Sequence, residues 1–153
     1  DIRTEGEAIR TRIGYMPEYD ALNPNMDAIH QVRYSGELLG MNPTVALARA
    51  HQSLQYVGLG EQRYREVGSF STGMKQATKL ACALIHDPDL IIADEPTGNL
   101  DTTSGNEVVK LIEELNLAGL TLIVVTHDRE MGERSNRLIE LRDGKIINEQ
   151  RKS

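Results

Sequence analysis

The stretch that decides the fold is Leu90-Ile91-Ile92-Ala93-Asp94-Glu95-Pro96. An apolar run that ends in two adjacent carboxylates and a proline is typical of a strand covered on both faces, with its acids at a ligand-binding edge. A second apolar run, residues 120–125, precedes His127 and predicts a parallel neighbour covered in the same way. Between the runs we expect a helix capped by Asp101 and closed by Gly119. This arrangement predicts a right-handed βαβ unit in an α/β domain.

The segments before and after this unit predict the remaining architecture. Residues 13–16 predict a short strand, and residues 27–70 show helical spacing that predicts a small inserted helical unit, with Thr44 capping its second helix. Another helix is expected from Ser71. Residues 137–148 predict a hairpin, because they contain the Asp-Gly pair of a tight turn. The buried face predicted for the helix from Ser71 carries Met74, Ala77, Ala81 and Leu84.

Length and composition exclude several classes of protein. A chain of 153 residues with 39% hydrophobic residues predicts one modest domain, and a net charge of -6 argues against a protein that coats nucleic acid. Cys82 is the single cysteine, which excludes an intrachain disulfide and favours a reducing compartment. No apolar run approaches the roughly 18 to 20 residues of a membrane span, and residues 1–5 lack a signal-peptide core. We therefore expect a soluble chain that docks to a larger assembly.

The strand ends supply candidate catalytic and metal-binding residues. Asp94 is suited to hold Mg²⁺, directly or through water, and Glu95 is suited to polarise a nucleophilic water. His127, at the same predicted sheet edge, can hydrogen-bond a phosphate oxygen or the attacking water. The alternatives are a solvated acidic turn for the two carboxylates and a helix cap for His127.

A third candidate feature is the start of the helix at Ser71, Thr72, Gly73 and Met74. Free N–H groups and the positive end of the helix dipole attract an anion, and a glycine in the first turn lets a phosphate approach the backbone. The alternative is an ordinary capped helix start, which is common.

The order of these features resembles the nucleotide-binding domain of ATP-binding cassette (ABC) transporters. Residues 71–76 (STGMKQ) are similar to the family's signature sequence, with Thr72 and Met74 in place of the commoner glycine and glutamine. Residues 90–95 resemble the Walker B strand, residues 98–101 (GNLD) the D-loop and His127 the switch histidine. The resemblance covers nearly the whole chain from Ile13. It implies an ABC ATPase-like, partial P-loop NTPase with a parallel sheet, an inserted helical subdomain and a C-terminal β-hairpin.

The chain departs from the family pattern in two places. No segment fits the phosphate-binding loop G-x-x-x-x-G-K-S/T, so we expect the C-terminal two-thirds of a cassette domain. Glu18 stands where the family usually has the glutamine of the Q-loop, and its added negative charge predicts weakened or altered coupling. The implied division is 1–18 for the end of the first lobe, 19–70 for the helical subdomain and 71–153 for the remaining motifs.

The resemblance also implies a set of roles at the site. Two cassette domains would sandwich ATP, with Ser71, Thr72, Gly73 and Met74 of one domain binding the nucleotide held by the other. Asp94 would organise Mg²⁺, which Glu18 could meet through water.

In the same scheme, Glu95 would act as the general base and His127 would hold the γ-phosphate and the water in line. Asp101 would link the two nucleotide sites across the interface. Glu18 would lie beside the nucleotide, and the loop after it would receive a transmembrane subunit.

The function implied is an ATP-binding and ATP-hydrolysing subunit that powers an ABC transporter, an exporter by its style. Its partners would be a second cassette domain, identical or different, and a transmembrane subunit, with no nucleic acid, at the cytoplasmic face of the cell membrane. One alternative is a truncated, non-catalytic cassette that docks or complements a partner. A soluble cassette ATPase of translation or DNA repair is disfavoured, because paired cassettes and basic inserts are absent from this sequence.

Two parts of the chain resemble two different groups of cassettes. Residues 15–90 look like exporters of polysaccharides, drugs or motility components, whereas residues 96–153 are more similar to lipoprotein-releasing and macrolide-export cassettes. This difference suggests, as a hypothesis, a recombined or constructed chimera with a junction near residues 90–97.

Overall fold

The computed structural model describes residues 5–152 of the chain. The described chain contains both helices and a parallel sheet, and the predicted α/β class is confirmed. The strands are β1 Ile13–Met16, β2 Leu90–Asp94, β3 Thr121–Val125, β4 Arg137–Arg142 and β5 Lys145–Arg151. The helices are α1 Gly6–Arg10, α2 Ala28–Leu38, α3 Pro43–Tyr56, α4 Thr72–Leu84, α5 Thr102–Leu117 and α6 Arg129–Arg134.

A three-stranded parallel sheet in the order β1-β2-β3 organises the domain, as the two apolar runs predict. The register places Tyr15 beside Ile92 and Ile92 beside Ile123. Helix α5 makes the crossover between β2 and β3. It begins at Asp101, whose carboxylate accepts hydrogen bonds from the N–H groups of Thr103 and Ser104, both at 3.0 Å. The predicted cap of this helix is confirmed.

The two faces of the sheet differ, and the expectation that residues 120–125 are covered on both faces is wrong. Leu122 and Val124 pack against the core, but Ile123 and Val125 are 48% and 52% exposed. The physical reason is cover: side chains alternate between the two faces of β3, and within the described chain α5 is the helix that packs against it, on the face of Leu122 and Val124. A continuous apolar run therefore did not imply cover on both sides.

Helices α2 and α3 form the predicted helical unit, whose assignment to a separate subdomain remains a prediction. Asp27 caps α2, accepting a hydrogen bond from the His30 N–H at 2.9 Å. The cap of α3 is Asn42, which accepts from the Thr44 N–H at 3.0 Å, and the predicted cap Thr44 is wrong. Pro43 explains the difference: a proline suits the first helical position, because its missing N–H has no intrahelical partner there, so the cap must precede it.

Helix α4 lies at the centre of the core, between β1 on one side and α2 and α3 on the other. The buried face of α4 differs from the predicted stripe in two ways. Met74 and Leu84, which the stripe included, are only half-buried. Leu80 and Lys79, which it left out, are fully buried and 5% exposed, because the helix is enclosed on more than one side. The packing on β1 is close. A Cβ added to Gly14 would lie 2.3 Å from the carbonyl oxygen of Ala83.

The C-terminal hairpin of β4 and β5 is confirmed. Its turn contains Asp143 and Gly144, with φ angles of 49° and 73°, in the left-handed region that the Asp-Gly pair predicts. Over the described range, no helix combines the length and the apolar character needed to cross a membrane.

Candidate functional site

The site begins where β2 ends and the chain turns sharply at Glu95. This residue has a φ of +44°, which is uncommon for a residue with a side chain, and its N–H donates to the carbonyl oxygen of Val125 at 2.8 Å. Pro96, which follows, is fully buried. The turn is therefore fixed against β3, and it directs Glu95 toward the residues that follow that strand.

Both oxygens of the Glu95 carboxylate are engaged by residues following β3. Oε1 accepts from the His127 N–H at 2.9 Å and from His127 Nδ1 at 2.8 Å, and Oε2 accepts from the Thr126 hydroxyl at 3.0 Å. The Glu95 side chain is 14% exposed, whereas that of His127 is 90% exposed. The structure thus brings together two residues that the sequence placed at one sheet edge, and it adds Thr126.

These contacts set the protonation of the pair. Burial by itself would raise the pKa of Glu95, but the hydrogen bonds from His127 and Thr126 outweigh it and the pKa is lowered. The hydrogen bond to Glu95, and then the charge of Glu95, raise the pKa of His127. An ionised carboxylate only accepts hydrogen bonds, so Nδ1 of His127 carries a proton and Nε2 remains available to a ligand.

The alternative interpretation of His127 as a helix cap is wrong. Helix α6 is capped by Asp128, which accepts from the Glu130 N–H at 2.9 Å. The backbone and ring of His127 are instead committed to Glu95.

Asp94 and Glu18 line one cleft of about 570 Å³, together with Thr72 from the start of α4. Asp94 is half-buried and accepts a long hydrogen bond of 3.4 Å from the hydroxyl of Tyr15, whereas Glu18 is exposed. Partial burial, and then the charge of Asp94, raise the pKa of Tyr15. The two predicted metal-binding carboxylates therefore face the same space.

The start of α4 is a capped helix end with free donors. The Ser71 hydroxyl oxygen accepts from the Met74 N–H at 3.2 Å, and the first helical hydrogen bond joins the Lys75 N–H to the Ser71 carbonyl at 2.9 Å. The N–H groups of Thr72 and Gly73 precede this bond, so the helix offers them no acceptor. Ser71 and Thr72 are exposed, and Gly73 and Met74 are half-buried.

The sequence profile of the ABC transporter family matches residues 1–98 of the chain. The chain belongs to the ABC transporter family. It is 37% identical over 142 residues to a macrolide export ATP-binding/permease protein of Bradyrhizobium diazoefficiens, covering 93% of this chain and 22% of that protein. It is 45% identical over 108 residues to such a protein of Azoarcus sp. (strain BH72), covering 71% and 16%. The chain thus spans about a fifth of the length of these curated relatives.

The fold is that of an ABC cassette. A dimeric, post-hydrolysis structure of the ATP-binding cassette MJ0796 with ADP and Pi superposes with a TM-score of 0.82 at 28% identity, covering 99% of this chain and 67% of that one. The likeness to a macrolide-export protein over 142 residues necessarily extends well before residue 96. The junction proposed near residues 90–97 stays a prediction.

Gly73 and Asp101, two further predicted site residues, both lie close to Ser104. A Cβ on Gly73 would lie 3.1 Å from Cβ of Ser104, so this glycine lets α4 and α5 approach closely. Asp101 accepts from the Ser104 hydroxyl at 2.8 Å, and hydrogen bonds from Ser104 lower the pKa of Asp101. Ser104 thus lies between the start of α4 and Asp101, and the sequence did not point to it because a serine in a first helical turn is common.

Proposed function

We propose that this chain is the part of an ABC ATPase that activates the attacking water and presents the signature helix, and that it powers an exporter through nucleotide-driven closure of two cassettes. The observation that supports this most is the binding of Glu95 by His127 and Thr126 at the carboxyl ends of neighbouring parallel strands. Ligands of open α/β sheets bind beyond those strand ends. The site therefore lies where a nucleotide would be expected.

Glu95 would take the proton of the attacking water, and its hydrogen bonds indicate which atom does so. A carboxylate oxygen has two lone-pair sites. Oε1 already accepts two hydrogen bonds from His127, whereas Oε2 accepts only that of Thr126. Oε2 is therefore the atom with room to receive a proton. His127 would use Nε2 to hold a phosphate oxygen or the water.

The carboxylates of the cleft fit Mg²⁺ that arrives with a nucleotide. Within residues 5–152, no group of three or more His, Cys, Asp or Glu residues is arranged to hold a metal ion. Mg²⁺ is commonly bound by one or two carboxylates together with phosphates and waters, which matches Asp94 with Glu18 nearby. When bound, Mg²⁺ would neutralise charge on the phosphates.

The start of α4 would serve the partner's nucleotide. The N–H groups of Thr72 and Gly73 and the hydroxyl proton of Ser71 are suited to an anion, with Met74 completing the first turn. Asp101 would connect this end to the opposite site across the interface. The dimeric state named for the MJ0796 cassette supports a second cassette, identical or different, as a partner.

A membrane subunit is the second proposed partner. The macrolide export relatives are named ATP-binding/permease proteins, which supports attachment of this chain to a transmembrane part, at the inner face of the cell membrane. The loop at Glu18 and residues 27–70 would receive that part, so closure of the cassettes would be converted into transport.

Two assays test the proposal. In the first, Mg²⁺-ATP hydrolysis by the chain is compared with that of Glu95→Gln, with Glu113→Gln as a control that removes a half-buried carboxylate bound to Arg134. Loss of a general base is expected to reduce the rate by about 10² to 10⁴-fold. In the second, the chain is titrated into the purified macrolide export protein of Bradyrhizobium diazoefficiens, and we expect its ATPase rate to change, with Ser71→Ala removing the effect and Ser135→Ala retaining it.

The outcomes separate the proposal from a second candidate. The second candidate is a non-catalytic module that completes a partner's site through the start of α4, where the helix offers no acceptor to the N–H groups of Thr72 and Gly73. Activity in the first assay that Glu95→Gln removes supports an ATPase. A change in the second assay alone supports the complementing module. No activity in the first and no change across the concentration series in the second would contradict both.

A further inference from the structure

Lys79 is a lysine in the core of the domain, one helical turn beyond Lys75 on α4. It is 5% exposed, and its Nζ donates to the carbonyl oxygens of Pro17 at 2.8 Å, Glu18 at 3.1 Å and Tyr19 at 3.3 Å. A lysine ammonium has three donor protons and no acceptor. The three carbonyls therefore satisfy it completely.

The geometry of these bonds shapes the loop after β1. Three consecutive carbonyl oxygens can point at one atom only if the backbone curls around it, because successive carbonyls alternate in direction along an extended strand. The loop is also contacted by the preceding turn of the helix, where Lys75 pairs with Asp20 at 3.6 Å. The preceding turn thus contacts Asp20, whereas Lys79 alone bonds to residues 17–19.

A buried lysine is unfavourable unless its charge is satisfied. Burial lowers the pKa of Lys79, and the charges of Asp20 and Glu18 act in the opposite direction. A methionine would fill the same volume without this desolvation, so the stripe of apolar residues on α4 gives no packing reason for a cation here. What only the ammonium supplies is the set of three hydrogen bonds to one loop.

We infer that Lys79 is a positioning residue: it fixes the loop that carries Glu18 to the helix that begins at Ser71, so that the two move as one body. The inference rests on the proposed function only for what Glu18 and Ser71 bind. The attachment itself involves residues 17–19 and Lys79, and it can be tested without nucleotide. Failure of the ATPase assays would therefore leave this inference standing, and the reverse also holds.

Nuclear magnetic resonance of the 153-residue chain, labelled with ¹⁵N and ¹³C, tests the attachment. In the native chain we expect a protected Lys79 ammonium signal with couplings across hydrogen bonds to the carbonyl carbons of Pro17 and Glu18. We also expect backbone order parameters at Glu18 and Tyr19 near the value of about 0.85 that marks rigid backbone.

Substitutions of Lys79 separate the effect of its hydrogen bonds from the effect of its volume. Lys79→Met keeps the length of the side chain but removes its donors, and we expect the order parameters of Glu18 and Tyr19 to fall below about 0.6, the range of flexible backbone. Lys79→Arg keeps a cation with donors and should recover part of the loss. Lys75→Met is the matched control one turn earlier, and it should leave Glu18 and Tyr19 ordered.

Two results would overturn the inference. One is a folded Lys79→Met chain in which Glu18 and Tyr19 are as ordered as in the native chain. The other is a native chain in which the Lys79 ammonium exchanges freely and shows no coupling to these carbonyls. The second measurement needs no variant, so it decides the question even where Lys79→Met fails to fold.

Discussion

The two faces of the parallel sheet differ in burial. On the face toward α4, Met16, Ile91 and Ala93 are completely buried, whereas on the opposite face Ile123 and Val125 are about half exposed. Side chains alternate along a strand, so the buried Ala93 is followed by Asp94 on the open face. One short strand therefore supplies both core packing and an acid on the open face, through the alternation of its residues.

The largest expected effect is the loss of stability on truncating a side chain of the covered face, compared with one of the open face. Ile91→Ala should lower the free energy of unfolding by about 2 to 5 kcal/mol, because it leaves a cavity in the covered core, whereas Ile123→Ala should cost about 1 kcal/mol or less. Urea unfolding followed by circular dichroism measures both. Equal losses for the two variants would show that the face bearing Ile123 is covered in solution, and the comparison would fail.

The sequence predicted the features that depend on local chemistry. The strand at residues 90–94, the cap Asp101, the helix start at Ser71 and the Asp-Gly turn each follow from a few adjacent residues, and the structure confirms them. The placement of Glu95 and His127 at one sheet edge followed from the rule that parallel strands end there, whereas their direct hydrogen bonds were not predicted. The assignments of nucleotide, metal and interface roles remain predictions.

The features that the sequence did not predict depend on distant neighbours. One face of β3 is open because no described element covers it, and the apolar sequence of the strand does not indicate which elements will pack against it. Lys79 lies outside the predicted buried stripe of α4, and its three acceptors lie about sixty residues earlier in the chain. Thr126 binds Glu95, and the single feature of the sequence that could have indicated this role is its position directly before His127.

The covered face also depends on the close approach of β1 and α4 at Gly14. Gly14→Ala would place a methyl group against the Ala83 carbonyl, so β1 and α4 must separate, at a cost of about 1 to 3 kcal/mol in the free energy of unfolding. Gly105→Ala is the matched control within α5, where the nearest atom to the new Cβ is 3.9 Å away. It should stabilise the chain by about 0.5 to 1 kcal/mol, because alanine favours a helix. Thermal unfolding of both variants provides the measurement. A neutral Gly14→Ala would contradict the close packing of α4 on β1.

The smallest effect on stability is expected at the sheet edge, where Glu95 meets the exposed ring of His127. The raised pKa of His127 means that its contribution is complete below the ordinary histidine pKa and is lost as the pH rises through the raised value. The lowered pKa of Glu95 means that its contribution is present above the ordinary glutamate pKa and is lost as the pH falls through the lowered value. The pair therefore stabilises the fold most between the two ordinary values.

The titration of His127 measures this pair directly. Because Glu95 is the principal cause of the raised pKa, Glu95→Gln should return the His127 pKa toward the ordinary value of about 6.5, as followed by the ring resonances in nuclear magnetic resonance. Glu113→Gln, which removes a carboxylate bound to Arg134, should leave the His127 titration unchanged. If His127 titrates identically with and without the Glu95 carboxylate, the two side chains are not paired in solution. Glu95 would then be free of His127, and Oε1 as well as Oε2 would have room for a proton.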